Sequence, residues 1–464
     1  MSVRVGNIRL AKGAKCMRTS SDCPREWYAL LRVSGLLVVA RVGGLLCGIT
    51  LTLILARTID PDSLGEVTKG FALVMVLAVG TTLNIEAGNL RFLTGYLTEE
   101  CYQKAAGFVS AGRRFVMGTG FVVLLSTLIL WTVSLFAGVA LVPDYLILSL
   151  VAAPIAGWLR VNSSYALASG HVLSSVIPST FLRPLLLLTV IALATSAGVR
   201  FDAGSVMLVF LLTLIAVAAL QTALTRKALG ALLTSNEPDH SRFSEWLSVG
   251  LHMIIPIMMV EFSTEIIILI SSSSLSDEEI AVLGIVLRVV GCIRFGIFAV
   301  NRAISPRLSG ALRVGDRDEV DQLLWLSGHS KFWPALVCLL LLSIWGTEIL
   351  GFFGPAYKAG SEALIILAIV PVILAFFGPT TMTMPVLDLQ RYSAPVFLGA
   401  LLGLLFLIPA MGALYGLNGV AAAVTVVWFA WNAAIFFLVL TRRGYDLSLL
   451  GAVIRKRRAD LLQS

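Results

Sequence analysis

The sequence predicts an all-α integral membrane protein with about twelve transmembrane helices, arranged as two six-helix bundles around a central cavity. Three observations predict this class: a mean hydropathy of +0.91, a charged fraction of only 13%, and long apolar runs that recur along the 464 residues. Soluble domains carry about 25% charged residues, so most of this apolar surface must face lipid rather than one core.

The apolar runs are long enough to be counted as separate spans. A helix needs about 20 mostly apolar residues to cross the hydrocarbon layer. The predicted spans are 30–56, 65–88, 113–138, 143–168, 172–197, 203–226, 244–271, 279–302, 331–353, 361–385, 394–414 and 418–441.

The basic residues predict how the spans are oriented. The connections on one side of the membrane hold most of them, including Arg113, Arg226, Lys227 and Arg313, and Arg442 follows the last span on the same side. The other side holds only Arg57, Lys69, Arg200 and Lys358. Because basic residues are retained in the cytoplasm, this asymmetry predicts that both termini are cytoplasmic.

The predicted domain organisation follows from the spans and the longest connections. It consists of a cytoplasmic basic tail (1–29), an amino-terminal bundle (30–226), a cytoplasmic linker (227–243), a carboxy-terminal bundle (244–441) and a second cytoplasmic basic tail (442–464). The linker contains the turn cluster Asn236-Glu237-Pro238-Asp239. The segment Leu308–Leu326 spaces apolar residues at helical intervals beside charges and predicts an interfacial helix.

Arginines inside the predicted spans are the strongest candidates for a binding site. A charged side chain in a membrane helix costs several kcal/mol, so it usually faces a wet cavity or a partner. Guanidinium groups bind phosphate oxygens through two parallel donors and stay charged. The sequence therefore predicts a cationic cavity for an anionic substrate, and the predicted substrate-binding residues are Arg41, Arg288, Arg294, Arg160 and Arg183. The alternative is that each arginine pairs with a carboxylate or carbonyl, or reaches the interface.

Two carboxylates in the seventh span are candidates for cation coupling. Glu261 and Glu265 are four residues apart, which places them on one face of a continuous helix. Such a pair can hold a proton or a sodium ion. The alternative is that each pairs with an arginine from another helix. Glu86 is a further acid, predicted near the end of the second span.

Other classes of function lack their residues. The sequence contains no GxxxxGK phosphate loop, no GxSxG elbow and no HExxH pair. The six cysteines and four histidines are scattered without metal-ligand spacing. We therefore expect no catalytic residues, no metal and no cofactor, and so no enzyme. The basic residues follow topology, so we expect no nucleic-acid partner.

Several motifs resemble one family. The run 53–65, with Leu55-Ala56-Arg57 before an acidic proline turn, resembles the end of the first helix in bacterial polysaccharide and O-antigen flippases. These belong to the multidrug/oligosaccharidyl-lipid/polysaccharide (MOP) exporter superfamily. Ser305–Ser309, Phe353–Tyr357 and Gly416–Ala421 are similar to later elements of that family, and Glu265 stands where it commonly has Asp. The resemblance covers about residues 30 to 445 and departs from the family in Glu265 and in the basic amino-terminal tail.

The resemblance implies a flippase of the bacterial inner membrane. It would turn an undecaprenyl-diphosphate-linked oligosaccharide across the membrane for the synthesis of lipopolysaccharide or exopolysaccharide, with the two bundles rocking about the cavity. Its partners would be that substrate, membrane lipid, and a polysaccharide polymerase with glycosyltransferases.

Three alternatives remain at the level of sequence. A drug/cation antiporter of the same superfamily would need an acidic cavity. A membrane-embedded polysaccharide polymerase or ligase would need a sizeable outside loop, and the predicted outside loops are short. A non-transporting scaffold would need neither.

Overall fold

A computed structural model describes residues 23–451 except 90, 137–141, 236 and 390–391. Much of the two predicted basic tails therefore lies outside the described residues. Every regular element in the described part is helical, and no strand occurs there. Eleven of these helical segments are long and apolar enough to span a membrane, which confirms a multi-pass membrane protein.

The first half of the chain forms the first six spans. Its helices are α1 (Cys23–Thr58), α2 (Pro61–Thr82), α3 (Phe92–Thr98), α4 (Tyr102–Phe136), α5 (Asp144–Ala168), α6 (Val172–Val176), α7 (Arg183–Ser196) and α8 (Ala203–Ser235). A π-helical turn, Ile177–Leu182, joins α6 to α7, so that Val172–Ser196 crosses as one span. Proline at position 178 lacks a backbone N–H, which is consistent with the altered hydrogen bonding there.

The second half forms the remaining spans. Its helices are α9 (Phe243–Glu261), α10 (Ser263–Ser271), α11 (Asp277–Val314), α12 (Arg317–Gly351), α13 (Ser361–Phe377), α14 (Thr380–Val386) and α15 (Ser393–Arg443). α15 holds two predicted spans, because Gly416 adopts φ 56° and ψ −141° and turns the chain between them. Only glycine takes this conformation readily.

The chain divides into two compact units. Unit 1 contains residues up to Thr58 and Leu73–Ile254, and unit 2 contains Ile59–Ala72 and the residues from Ile255 onward. In unit 1, α5 packs against α4 and α8. An aromatic cluster fills the core of this unit, with Phe108 between Tyr165 and Trp246, all fully buried. In unit 2, α11, α12, α13 and α15 pack together.

The predicted interfacial helix at 308–326 is wrong. α11 continues as far as Val314, Gly315 ends it in the left-handed conformation (φ 78°), and α12 begins two residues later. Asp316 caps α12 by accepting a hydrogen bond from the Glu319 N–H at 3.0 Å. The apolar periodicity therefore belongs to the ends of two long helices that meet at one turn.

Two other predicted helix ends also differ. α2 ends at Thr82, because Leu83 and Asn84 have positive φ, and Glu86 lies in a 3-10 turn outside the helix. α8 continues to Ser235, through the first half of the predicted linker.

Short polar side chains cap the amino-terminal ends of several helices at the turns between spans. Asp60 caps α2 through the N–H and hydroxyl of Ser63, at 2.9 and 3.1 Å. These hydrogen bonds, first that from the backbone N–H, hold the pKa of Asp60 below its usual value. Asp202 caps α8 in the same way through Ser205, whose hydroxyl lowers the pKa of Asp202. Ser276 and Glu279 form a capping box on α11.

Candidate functional site

Arg294 lies at the centre of a polar and aromatic cluster in unit 2. Its guanidinium carbon lies 4.6 Å from the centroid of the Trp428 ring and 5.8 Å from that of Phe298. Its Nη2 donates to the hydroxyl of Ser263 at 3.4 Å. Ring faces and a hydroxyl attract the cation without neutralising it. None of these three contacts carries a negative charge, and a guanidinium stays protonated in proteins.

Two buried N–H donors in this cluster lack an acceptor among the described residues. They are Nε of Arg294 and Nε1 of Trp431. Trp431 stacks on Trp428 with ring centroids 4.8 Å apart, and both indoles are almost fully buried. An unsatisfied buried donor costs about 1–3 kcal/mol. The cluster is therefore suited to a ligand that brings oxygen acceptors.

Glu265 supplies the negative charge of the same region. It lies in the first turn of α10, and its charge acts on the guanidinium groups of both Arg288 and Arg294. The amino-terminal end of a helix favours a carboxylate. One carboxylate thus faces two arginines, so these three side chains carry a net charge of about +1 (from the ordinary ionisation of Arg and Glu).

The seventh span is broken between the two predicted coupling acids. Phe262 (φ −118°, ψ 18°) separates α9, which ends at Glu261, from α10. Glu261 is exposed, whereas Glu265 is half-buried. The prediction that both acids share one face of a continuous helix is therefore wrong in its geometry.

Lys331 is a buried cation that the sequence placed at the edge of a span. Only 2% of this residue is exposed, and its Nζ donates to Oδ1 of Asn301 at 2.8 Å. Within the described residues no carboxylate lies within ion-pair distance of it. The sequence around Lys331 does not predict that it is covered, because it stands at the start of the apolar run, whereas α12 begins well before it at Arg317. Lys331 is thus a buried amine of unit 2 whose one side-chain partner among the described residues is a neutral amide.

In unit 1 the corresponding arginine is neutralised. Arg160 on α5 pairs with the carboxylate of Glu86, and its Nη2 contacts Oδ1 of Asn84 at 3.4 Å. Thr82 donates to the same Glu86 oxygen at 3.3 Å. Glu86 is 7% exposed, so this is a largely buried ion pair. Glu86 is within reach because the chain leaves the helix at Leu83.

The other predicted arginines of unit 1 are separate from this pair. Arg183, the first residue of α7, lies 3.9 Å from the sulfur of Met75. Arg41 is half-buried on α1. Arg288 and Arg294 both lie within electrostatic range of Glu265, whereas Arg160, Arg183 and Arg41 lie in three different surroundings.

The depth of each arginine follows from the helical rise of 1.5 Å per residue. On α11, Arg288 lies about 17 Å and Arg294 about 26 Å from the helix start at Asp277. A hydrocarbon layer is about 30 Å thick. Arg288 therefore lies at mid-depth, and Arg294 lies toward the opposite interface.

The site contains no machinery for covalent chemistry that we recognise. Among the residues that the structure describes, no three His, Cys, Asp or Glu side chains come together as a metal site. The clusters can bind a ligand, neutralise its charge and exclude water from it, which are the tasks of a binding or transport protein.

Comparisons with known proteins identify the fold. No family model matches the chain, and no curated protein matches it. Solved structures do. An inward-facing multidrug resistance transporter of the MATE family of the MOP superfamily superposes with a TM-score of 0.69 and 14% identity, over 86% of this chain and 94% of that one.

Two further structures give similar values. The lipid II flippase MurJ in its inward closed conformation has a TM-score of 0.65 and 14% identity, over 90% of this chain and 91% of that one. The MATE multidrug transporter DinF-BH, in complex with R6G, has a TM-score of 0.61 and 17% identity, over 89% of this chain and 96% of that one.

These likenesses confirm the fold class predicted from the sequence. The chain is an all-α, multi-pass membrane protein with the two-lobe fold found in transporters and flippases of the MOP superfamily. At these identities the likeness defines the fold and leaves the substrate open.

Proposed function

We propose that the protein is a flippase that moves a lipid-linked oligosaccharide with a diphosphate head group across the bacterial inner membrane, for surface polysaccharide synthesis. The work required is to shelter a charged, sugar-bearing head group from hydrocarbon. Both termini are proposed to be cytoplasmic, and a polysaccharide polymerase and glycosyltransferases are the proposed partners. MurJ, with a similar fold, is itself described as a lipid II flippase.

The observation that carries the proposal is the surroundings of Arg294. It is a membrane-helix cation that contacts the rings of Trp428 and Phe298 and the hydroxyl of Ser263. Its own Nε and the Nε1 of Trp431 are buried donors without an acceptor among the described residues. Phosphate oxygens satisfy such donors, and aromatic faces pack against sugar rings. Arg288 lies about 9 Å from Arg294 along the axis of α11, on the side of the membrane centre, and extends the positive charge toward mid-depth.

A drug/cation antiporter is the main rival, because two of the similar structures are multidrug transporters. A cationic drug requires buried acceptors that outnumber buried cations. The region of Arg294 has the opposite balance, because the one carboxylate of Glu265 acts on two arginines, Arg288 and Arg294. A polymerase or ligase would need a catalytic cluster, and the described part of the chain contains no group of three His, Cys, Asp or Glu side chains that could hold a metal ion.

Reconstitution into proteoliposomes tests the proposal. The substrate is a fluorescent polyprenyl-diphosphate oligosaccharide, and flipping is measured as the fraction that a membrane-impermeant quencher reaches. We expect wild-type protein to accelerate flipping and the double substitution Arg288→Ala/Arg294→Ala to slow it by at least about tenfold, which corresponds to one lost charge-assisted contact.

Two controls make the result specific. Arg313→Ala removes an exposed arginine from the end of the same helix and should retain wild-type flipping. A rhodamine dye supplied instead of the lipid should not be transported. Rapid dye transport together with full lipid flipping by the double variant would contradict the proposal.

A further inference from the structure

A groove between α5 and α8 of unit 1 has no role in the proposed transport. It has a volume of about 430 Å³, and its lining includes Ile155, Trp158, Ile215, Ala219, Thr222 and Arg226. Three alanines of α8, at positions 218, 219 and 223, leave the space that larger side chains would fill. The groove is apolar along its length and basic at one end.

The groove has the length of one leaflet. By the helical rise, Ile155 and Ile215 lie about 17 Å from the starts of α5 and α8, and Arg226 lies about 35 Å from the start of α8. The hydrocarbon layer is about 30 Å thick, so the groove runs from mid-depth to one interface. An acyl chain of a single lipid fits that span.

Two arginines mark the interfacial end. Arg113 on α4 lies about 35 Å from the end of that helix at Phe136, which is the same depth as Arg226. The two positive charges are close enough to repel each other. Arg113 is fixed by Oδ1 of Asn162, at 3.1 Å from Nε and 2.7 Å from Nη2, and this amide is neutral.

No carboxylate in the described part of the chain offsets these charges. Neither Arg113 nor Arg226 forms an ion pair there. Trp158 lines the groove beside Arg113: its Nε1 donates to the Thr222 hydroxyl at 2.8 Å, and the Arg113 guanidinium carbon lies 5.9 Å from its ring centroid. An apolar track with two unneutralised guanidiniums at the interface has the chemistry of a receptor for a phosphate with an acyl chain.

We propose that this groove binds an anionic phospholipid, with one acyl chain along the α8 alanines and the phosphate between Arg226 and Arg113. The bound lipid relieves the repulsion between the two arginines and fills the space between α5 and α8. This site is separate from the arginine cluster of unit 2, and the proposal does not depend on the identity of the transported substrate.

Native mass spectrometry of the full-length protein tests the proposal. The purified protein is titrated with phosphatidylglycerol and with phosphatidylcholine of the same acyl chains. We expect one phosphatidylglycerol to be retained about tenfold more tightly than phosphatidylcholine, as expected for one charge-assisted contact. Arg226→Gln should remove that preference.

A matched variant separates a site from general attraction. Lys227→Gln removes one charge at the same depth from the neighbouring residue of α8, which does not line the groove, and should weaken binding less than about threefold. Ala219→Phe fills the apolar part without a change of charge and should abolish retention. This second variant decides the matter if Arg226→Gln fails to fold.

Three results would overturn the proposal. Equal retention of the two lipids would show that the net negative charge of the head group does not contribute to binding. Equal losses in Arg226→Gln and Lys227→Gln would indicate unspecific attraction. Displacement of phosphatidylglycerol from the wild-type protein by equimolar undecaprenyl diphosphate, together with loss of undecaprenyl diphosphate binding in Ala219→Phe, would make the groove a site for the substrate tail instead.

Discussion

Arg160 in unit 1 and Arg294 in unit 2 are both arginines inside membrane helices, yet Arg160 directly contacts a negatively charged group and the groups in direct contact with Arg294 are uncharged. Arg160 contacts the buried carboxylate of Glu86 and the amide oxygen of Asn84. Arg294 contacts two aromatic rings and a hydroxyl. Each site has one buried carboxylate oxygen without a hydrogen-bond partner among the described residues, Oε2 of Glu86 and Oε2 of Glu265, and the unit 2 site has in addition an unsatisfied donor on its arginine, Nε of Arg294.

This difference separates a structural arginine from an available one. A buried ion pair neutralises its own cation, and most of its energetic effect appears when one partner is removed. An arginine on aromatic faces keeps its charge and its donors for another molecule. Position inside a span is therefore not sufficient evidence for a binding role; the contacting groups decide it.

The largest expected effect is on the stability of unit 1. Glu86→Ala strands the Arg160 cation inside the protein and should lower the free energy of unfolding by about 3 kcal/mol or more. Thermal unfolding of the purified protein in detergent measures this loss. Glu245→Ala, which removes an exposed acid 3.6 Å from Arg242, should change stability by less than about 1 kcal/mol. A Glu86→Ala protein that melts like wild type would refute a structural role for the pair.

A smaller effect is expected at the buried lysine of unit 2. Asn301→Leu removes the only acceptor that contacts Lys331 among the described residues and should cost about 2 kcal/mol of unfolding free energy. Lys331→Met replaces the cation with an apolar chain of similar length and should cost less than about 1 kcal/mol. The same melting experiment compares the two, and the reverse order would mean that the lysine charge itself stabilises the unit.

Removal of the aromatic face should have an effect of about 1 kcal/mol. Trp428→Leu takes away the ring beneath Arg294, and with it a cation–π contact worth about 0.5–2 kcal/mol. We expect binding of undecaprenyl diphosphate to weaken by roughly fivefold in a fluorescence titration. Phe437→Leu, at an exposed ring of the same helix, should leave binding unchanged.

The smallest effect concerns the cap of α2, outside both arginine sites. The lowered pKa of Asp60 means that its ionised form stabilises the fold, so Asp60→Ala should cost about 1 kcal/mol at neutral pH. An unfolded aspartate titrates near pH 3.9, and the folded one titrates lower. The difference from wild type should therefore be constant above about pH 5 and disappear as the pH falls below 4. Asp62→Ala removes a neighbouring exposed acid of the same turn and should change the free energy of unfolding by less than about 0.5 kcal/mol at neutral pH.

The sequence predicted the spans well because membrane helices are specified by length and apolarity alone. Residues 143–168 and 361–385 were predicted almost to the residue. Breaks inside apolar runs were harder, since the turn at Leu83 and the break at Phe262 depend on backbone conformations that these residue types do not require.

The site was predicted only as a list of charges. Arg294 and Arg160 look alike in sequence, because each is one cation in an apolar run. Their difference depends on partners far along the chain, Trp428 for the one and Glu86 for the other. Lys331 was missed because its cover comes from packing in unit 2 rather than from its own helix.

Binding of undecaprenyl diphosphate to the purified protein tests the central comparison most directly. The dissociation constant is measured for wild type, for Arg294→Gln and for the double variant Arg160→Gln/Glu86→Gln. The double variant replaces both members of the structural ion pair with uncharged residues. The account predicts a loss of about tenfold or more for Arg294→Gln and less than about twofold for the double variant. Equal losses, or a loss confined to the double variant, would contradict it.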